Sequence, residues 1–238
     1  MSVRKNQLDM SVAEWAAFVA AIRATHGTTA SAPAYRRFVN LHVAAFQMEN
    51  MSWGVHSMFM GGVLMRGHNF FAWHRRFVKS LEERLQTVDP SVTVPYWDSV
   101  TNQSIPVALS DQTLLEELSV DRDWDPSRLA SAGDLTGVQN YAGSFAGFQS
   151  LVEGTIHSGT HIAVGGDMAG ASSPTDPLFW LHHAFIDKLW GDWQASPRGI
   201  DPPNLTEVLQ PANISPGVSF SVAVSSLTSI SALGYSYA

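Results

Sequence analysis

Histidines set inside apolar helical periodicity constrain this chain more than any other feature. Six of its nine histidines fall into two clusters, His42, His68 and His74, then His157, His161 and His183, and each cluster ends in an aromatic-rich helical segment. An imidazole turned into a protein core must find a partner for its ring nitrogens. Two such groups therefore predict two metal ions, each held by three imidazoles, inside a helical core. In the second cluster, His157 and His161 stand four apart in HSGTH and project from one helix face. The segment SPTDPLFWLHHAFIDKLW supplies the third partner: Pro174, Asp176 and Pro177 mark a helix start, with His182 and His183 one turn later. Adjacent helix residues diverge, so one member of that pair faces the metal.

In the first cluster, YRRFVNLHVAAF puts His42 in line with Phe38, Leu41, Ala45 and Phe46, which turns its ring inward. NFFAWHRRFVKSLEERL reads as one helix with His74 on it and His68 in the loop just ahead. The competing ligand is His56 in VHSMFM, further upstream. All-imidazole sites suit copper, zinc, iron or nickel. Neither cluster contains a Glu-x-x-His pair and the chain has no His-Glu-x-x-His, so the di-iron carboxylate and zinc-protease patterns do not fit. Dry, aromatic surroundings favour copper.

The segments FFAWHRRF with its downstream LEERL, then VPYWD, HSGTHIAVGGDM and above all DPLFWLHHAFIDKLW resemble the type 3 copper proteins: tyrosinases, catechol oxidases and molluscan haemocyanin units. The resemblance runs from about Arg4 to Tyr237. It implies a mainly α fold whose four-helix-bundle core holds two copper ions, with long loops and a few short strands, as one catalytic domain over residues 1–238. His42, His68 and His74 would bind the first copper; His157, His161 and His183 the second, leaving His182 beside them. The family spaces its second and third first-site histidines more widely than His68 and His74; against the competing His56, the resemblance implies His68, because a loop ligand tolerates a short deletion. Glu153 falls where the family holds a water that takes the phenol proton, and Ser158 follows His157 where strongly monophenol-hydroxylating members often carry Asn. Gly170 falls where some members cover the second copper with a side chain, which implies an open site for bulky phenols. The C-terminal Tyr235 and Tyr237 match a Tyr-x-Tyr motif paired in the family with an arginine, here Arg4; an ending just past that motif implies no covering extension and no need for proteolytic activation. The implied reaction is O2-driven ortho-hydroxylation of phenols and oxidation of catechols to o-quinones. Alternatives within the fold are a catechol oxidase without hydroxylase activity, an o-aminophenol oxidase and an oxygen carrier.

Other residues take supporting roles. Asp187, four after His183, is placed to reach the ligand helix or to pair with Arg75 or Arg76, and Trp73, Phe179, Trp180 and Trp190 read as packing and pocket walls. Met48, Met51, Met58, Met60 and Met65 surround His56; packing is the better reading than Cu(I) acquisition. A net charge of -7 with no basic patch argues against nucleic acid and anionic membranes. Without cysteine, neither disulfides nor a thioether-bridged histidine can form. The N-terminus lacks an apolar signal core, which predicts a cytoplasmic protein or one exported with a partner, and such a partner could also deliver copper. Helices are expected from about Ser11, where SVAE is a capping box, and around 33–48, 69–87, 148–163 and 176–194, with strands at VTVPYW and VSFSVAV and SPRGIDPPN ending the bundle.

Overall fold

The computed structural model describes residues 1–26, 34–60, 63–65, 67–211, 213–215 and 218–238; of residues 58–60, 63, 64, 213–215, 218 and 219 only the backbone is described. In chain order the elements are β1 (Ser2–Arg4), α1 (Val12–His26), α2 (Tyr35–Ala45), β2 (Met58–Met60), β3 (Val63–Met65), α3 (Phe70–Gln86), α4 (Gln112–Leu118), α5 (Ala132–Gln139), α6 (Phe145–Val152), α7 (Ser158–Val164), α8 (Leu178–Ala195), β4 (Asn213–Ser215), β5 (Val218–Ser219) and β6 (Tyr235–Tyr237). The helices α2, α3, α8 and the continuous run α6–α7 enclose the site. All the longer helices lie where the apolar periodicity predicts them.

Local chemistry explains the boundaries. Ser11 and Glu14 form the expected reciprocal cap: Glu14 accepts from the Ser11 amide at 2.8 Å while the Glu14 amide donates to Ser11 Oγ at 3.2 Å. At the start of α8, the Leu178 amide donates to Asp176 Oδ1 at 2.9 Å, and Arg122 anchors that carboxylate through two bonds of 2.6 and 2.7 Å. Along α3 the residues Phe70, Trp73, Phe77 and Leu81 are wholly buried, a spacing of three and four that lays one apolar face on α8. The helix α8 is buried almost all round from Leu178 to Trp190 and forms the centre of the core.

The strands are peripheral. β1 and β6 pair in parallel, Ser2 opposite Tyr235 and Arg4 opposite Tyr237. VTVPYW does not form the expected strand: Pro95 has no N–H, the Val94 amide donates to Glu82 Oε2 at 3.0 Å, and only an isolated bridge between Asn6 and Tyr96 remains. VSFSVAV contributes the two residues of β5, paired antiparallel with β4, and a bridge from Ala223 to Val208. Among the described residues, no helix is long and apolar enough to cross a membrane.

Candidate metal centre

α2, α3 and the loop between them bring His42, His56 and His74 together, with ring centroids 4.9 Å (His42–His56), 5.0 Å (His56–His74) and 5.8 Å (His42–His74) apart. One ligand atom from each lies within 4.8 Å of the others. His68, expected as the loop ligand, is not among them. Its ring lies over the Gly54 backbone, where a Cβ would meet it at 2.4 Å, and its Nε2 stands 3.1 Å from the Glu207 carboxylate, facing away from the core and 44% exposed. The first triad therefore contains His56 in place of His68. The pairing of β2 with β3 and the bond from the Gly67 amide to Ser57 Oγ explain the difference: they bring the chain back beside Ser57, so His56 lies near His74 despite its distance in sequence.

His157, His161 and His183 converge as expected, with ring centroids 4.5 to 5.5 Å apart and His161 Nε2 3.3 Å from His183 Nε2. His182 is also within this group, its ring 5.2 Å from His161, so four imidazoles can reach the second position. The two groups meet where His74 and His183 stack at 4.3 Å.

Three of the rings are oriented by the backbone. His42 Nδ1 meets the Ala171 carbonyl at 2.7 Å, His74 Nδ1 the Phe70 carbonyl at 2.8 Å, and His161 Nδ1 the Met168 carbonyl at 2.6 Å. A carbonyl only accepts, so each Nδ1 carries the proton and each Nε2 presents a lone pair. The segment that supplies both Met168 and Ala171 is turned back by Gly165 and Gly166, whose φ values of 67° and 49° are left-handed; a Cβ on Gly166 would stand 2.2 Å from the Asp121 carbonyl. Burial, reinforced by neighbouring imidazoles, depresses every one of these histidines, His42 to about 3 and His161, through burial, to about 4. The rings are thus neutral lone-pair donors at physiological pH. Nε2 of His42 and of His74 are buried without any partner. Orphaned, converging, unprotonated nitrogens are what a copper ion requires, and the donor set fits.

Two cavities open on this centre. One, of about 240 Å³, is lined by His42, Phe46, His161, Ile162, Met168 and Gly170; the other, of about 350 Å³, by Phe46, His56, Ser57, Glu153, His157 and Ser158. Glu153 to His157 form a π-turn between α6 and α7. Glu153 is buried, with Ser57 donating to it from both its amide and its hydroxyl at 2.7 and 2.8 Å. Ser158 Oγ donates to the Glu153 backbone carbonyl at 2.6 Å, which commits its proton within the helix. Gly170 is exposed and a Cβ there would meet nothing closer than 3.9 Å, so the cavity is open on that side.

The expected supports are present. Arg75 binds Asp187 at 2.5 Å, Arg4 Nη1 donates to Tyr237 Oη at 3.1 Å and Arg4 also lies 3.8 Å over the Tyr235 ring. Trp73, Phe179, Trp180 and Trp190 are fully buried. The side chains of Met58 and Met60 lie outside the described residues; Met48 and Met65 are exposed.

The family model described as the common central domain of tyrosinase matches residues 32–133 and 108–196. A tyrosinase of Streptomyces lincolnensis is 31% identical over 242 residues, covering 83% of this chain and 84% of that protein. A polyphenol oxidase structure from Thermothelomyces thermophila superposes with TM-score 0.72 at 18% identity, covering 100% of this chain and 89% of that one. An octopus haemocyanin functional unit gives 0.73 at 19% identity, covering 100% and 68%. With two histidine groups set to hold two copper ions and a family match spanning most of its length, the chain belongs to the tyrosinase family and is a dicopper oxidoreductase.

Proposed function

We propose that the protein uses O2 to oxidise small phenols, hydroxylating monophenols ortho to the hydroxyl and converting o-diphenols to o-quinones. The observation that carries this reading is the contact between the two imidazole groups, His74 on His183 at 4.3 Å, together with a cavity lined by Phe46 and by imidazoles of both groups and open at Gly170. His42, His56 and His74 would hold one copper, and His157, His161 and His183 the other, with His182 packed beside the second. Bound copper supplies the activation of O2. The chain supplies the rest: carbonyl-locked rings fix the donor nitrogens, the buried aromatic shell excludes water, and Phe46, stacked on His56 at 4.1 Å, gives an incoming ring a flat wall. Glu153, in the second cavity beside His157, is the carboxylate that would accept a phenol proton through water.

A second reading, diphenol oxidation without hydroxylation, is favoured by Ser158. Its hydroxyl proton is directed to the Glu153 carbonyl, so it does not also donate to a water held by the Glu153 carboxylate. Oxygen uptake and quinone absorbance with matched tyrosine, catechol and o-aminophenol substrates separate the possibilities. Turnover of both tyrosine and catechol supports the first reading, catechol alone the second, and preference for the aminophenol or no turnover of any of them overturns both.

A further inference from the structure

We infer that Ser57 and Glu153 form a positioning clamp that sets His56 in the first imidazole group and ties it to the π-turn carrying His157. The inference rests on His56 being a ligand, as proposed above, and it starts from an asymmetry among the rings. His42, His74 and His161 each have Nδ1 fixed by a backbone carbonyl. His56 has no such bond: its Nδ1, like those of His157 and His183, is buried without a partner, but those two are held by helical backbone. It is also carried by a loop, with left-handed Gly54 (φ 63°) two residues before it and a hairpin starting two residues after it. Its ring orientation rests on stacking against Phe46 at 4.1 Å, and its position on the backbone that follows.

That backbone is held from the opposite half of the site. The Ser57 amide donates to Glu153 Oε1 at 2.7 Å and the Ser57 hydroxyl to Glu153 Oε2 at 2.8 Å, so one residue engages both oxygens of the carboxylate. Ser57 Oγ in turn accepts from the Gly67 amide at 3.0 Å, and Gln149, one turn before Glu153, donates to the Gly67 carbonyl at 2.7 Å. Gly67 is pressed against this strand: a Cβ there would stand 2.4 Å from the His56 carbonyl carbon. Both feet of the hairpin are thereby fastened to the helix that presents His157 four residues beyond Glu153. The clamp makes the geometry of the first group depend on a residue of the second.

Orienting partners of metal-bound histidines are generally worth about 10- to 100-fold in metal affinity. The test is competitive Cu(I) titration of the metal-free protein against a chelator, with copper per chain as the readout and no turnover involved. Wild type should bind two coppers and His56→Ala one. Ser57→Ala should weaken one of the two by roughly tenfold while leaving the other at wild-type affinity, which also shows that the variant is folded; Ser57→Thr, keeping the hydroxyl, should restore it. Glu153→Gln, which still accepts from the amide, should keep both coppers, whereas Glu153→Ala should match Ser57→Ala and serves in its place if that variant does not fold. Wild-type binding by Ser57→Ala and Glu153→Ala, with loss in His56→Ala, overturns the clamp alone. Two coppers in His56→Ala overturn the His56 assignment and the clamp with it.

Discussion

Arg75 Nε donates to Asp187 Oδ1 at 2.5 Å, joining the residue after His74 on α3 to the residue one turn beyond His183 on α8. The pair is buried, and Asp187 also accepts from Tyr235 and Tyr237 at 2.6 Å each and from Arg4 at 3.3 Å. Asp187 is thus the carboxylate paired with Arg75, while Arg4 divides between Asp187 and the buried Glu82, to which it donates at 2.9 Å. Replacing Asp187 by Asn leaves Arg75 without its carboxylate in a dry site while Arg4 keeps Glu82, and breaking a buried pair from one side costs about 3–5 kcal/mol. Denaturant unfolding should show a loss of that size for Asp187→Asn, against less than about 1 kcal/mol for Arg128→Ala, which breaks an exposed pair with Asp125.

Acid should destabilise the metal-free protein in two steps. The site histidines are depressed by burial, so below their ordinary value of 6.5 the unfolded chain binds protons that the folded chain refuses, and stability falls as pH falls. Each such group contributes up to about 1.4 kcal/mol per pH unit until its folded-state value is reached. Burial opposes the charge on Asp187, but Arg75 and Arg4 outweigh it and hold the carboxyl below 3.8, so its contribution is lost only in a second, more acidic range. Thermal melts of the apoprotein should drop steadily from pH 7 to pH 5. A flat melting temperature there would contradict neutral, metal-ready imidazoles.

Replacing His68 should matter little to the metal. It is 44% exposed and bonded to Glu207, so His68→Ala should retain two coppers per chain by metal analysis and shift stability by less than about 1 kcal/mol. Loss of one copper would return His68 to the site.

Gly170 sets the openness of the cavity by lacking a side chain rather than by its backbone. Its φ of -130° is ordinary for any residue, and the space beyond its Cα is clear to 3.9 Å. Gly170→Phe should therefore fold normally, keep turnover of unsubstituted catechol and lower turnover of bulky catechols by about tenfold, a loss near 1.4 kcal/mol. Equal turnover of both would show that substrates enter elsewhere.

Much of this arrangement was legible in the residues. Apolar spacing located α2, α3 and α8, because burial of one face imposes the same period on sequence and helix. His157, His161 and His183 followed from helix geometry and resemblance together. His56 stood as the competing ligand and was passed over for His68, the loop residue nearer His74, although MFMGGVLM holds the signal: a Gly-Gly pair between short apolar runs marks a hairpin, and a hairpin brings Gly67 back to Ser57. The short helices α4 and α5 were passed over despite the Asp111 and Ser131 caps, since seven and eight residues carry too little periodicity. The strand expected at VTVPYW failed because a carboxylate, Glu82, took the amide that a ladder needed. The bonds of Glu153 and Ser158 depend on a π-turn, and no residue pattern announces that extra residue.

That turn between α6 and α7 works as a phase shifter. Upstream of it, Phe148 and Val152 face the core; downstream, His157 and His161 face the imidazole of His183, and the fifth residue in the turn offsets the two registers by about 100°. Deleting one residue between Glu153 and His157 would give a more regular helix and rotate the imidazole pair away from its partners relative to α6. Local regularity and the convergence of nitrogens are therefore opposed at this point of the chain, and the irregular helix is the form that lets one rod serve both the core and the copper site.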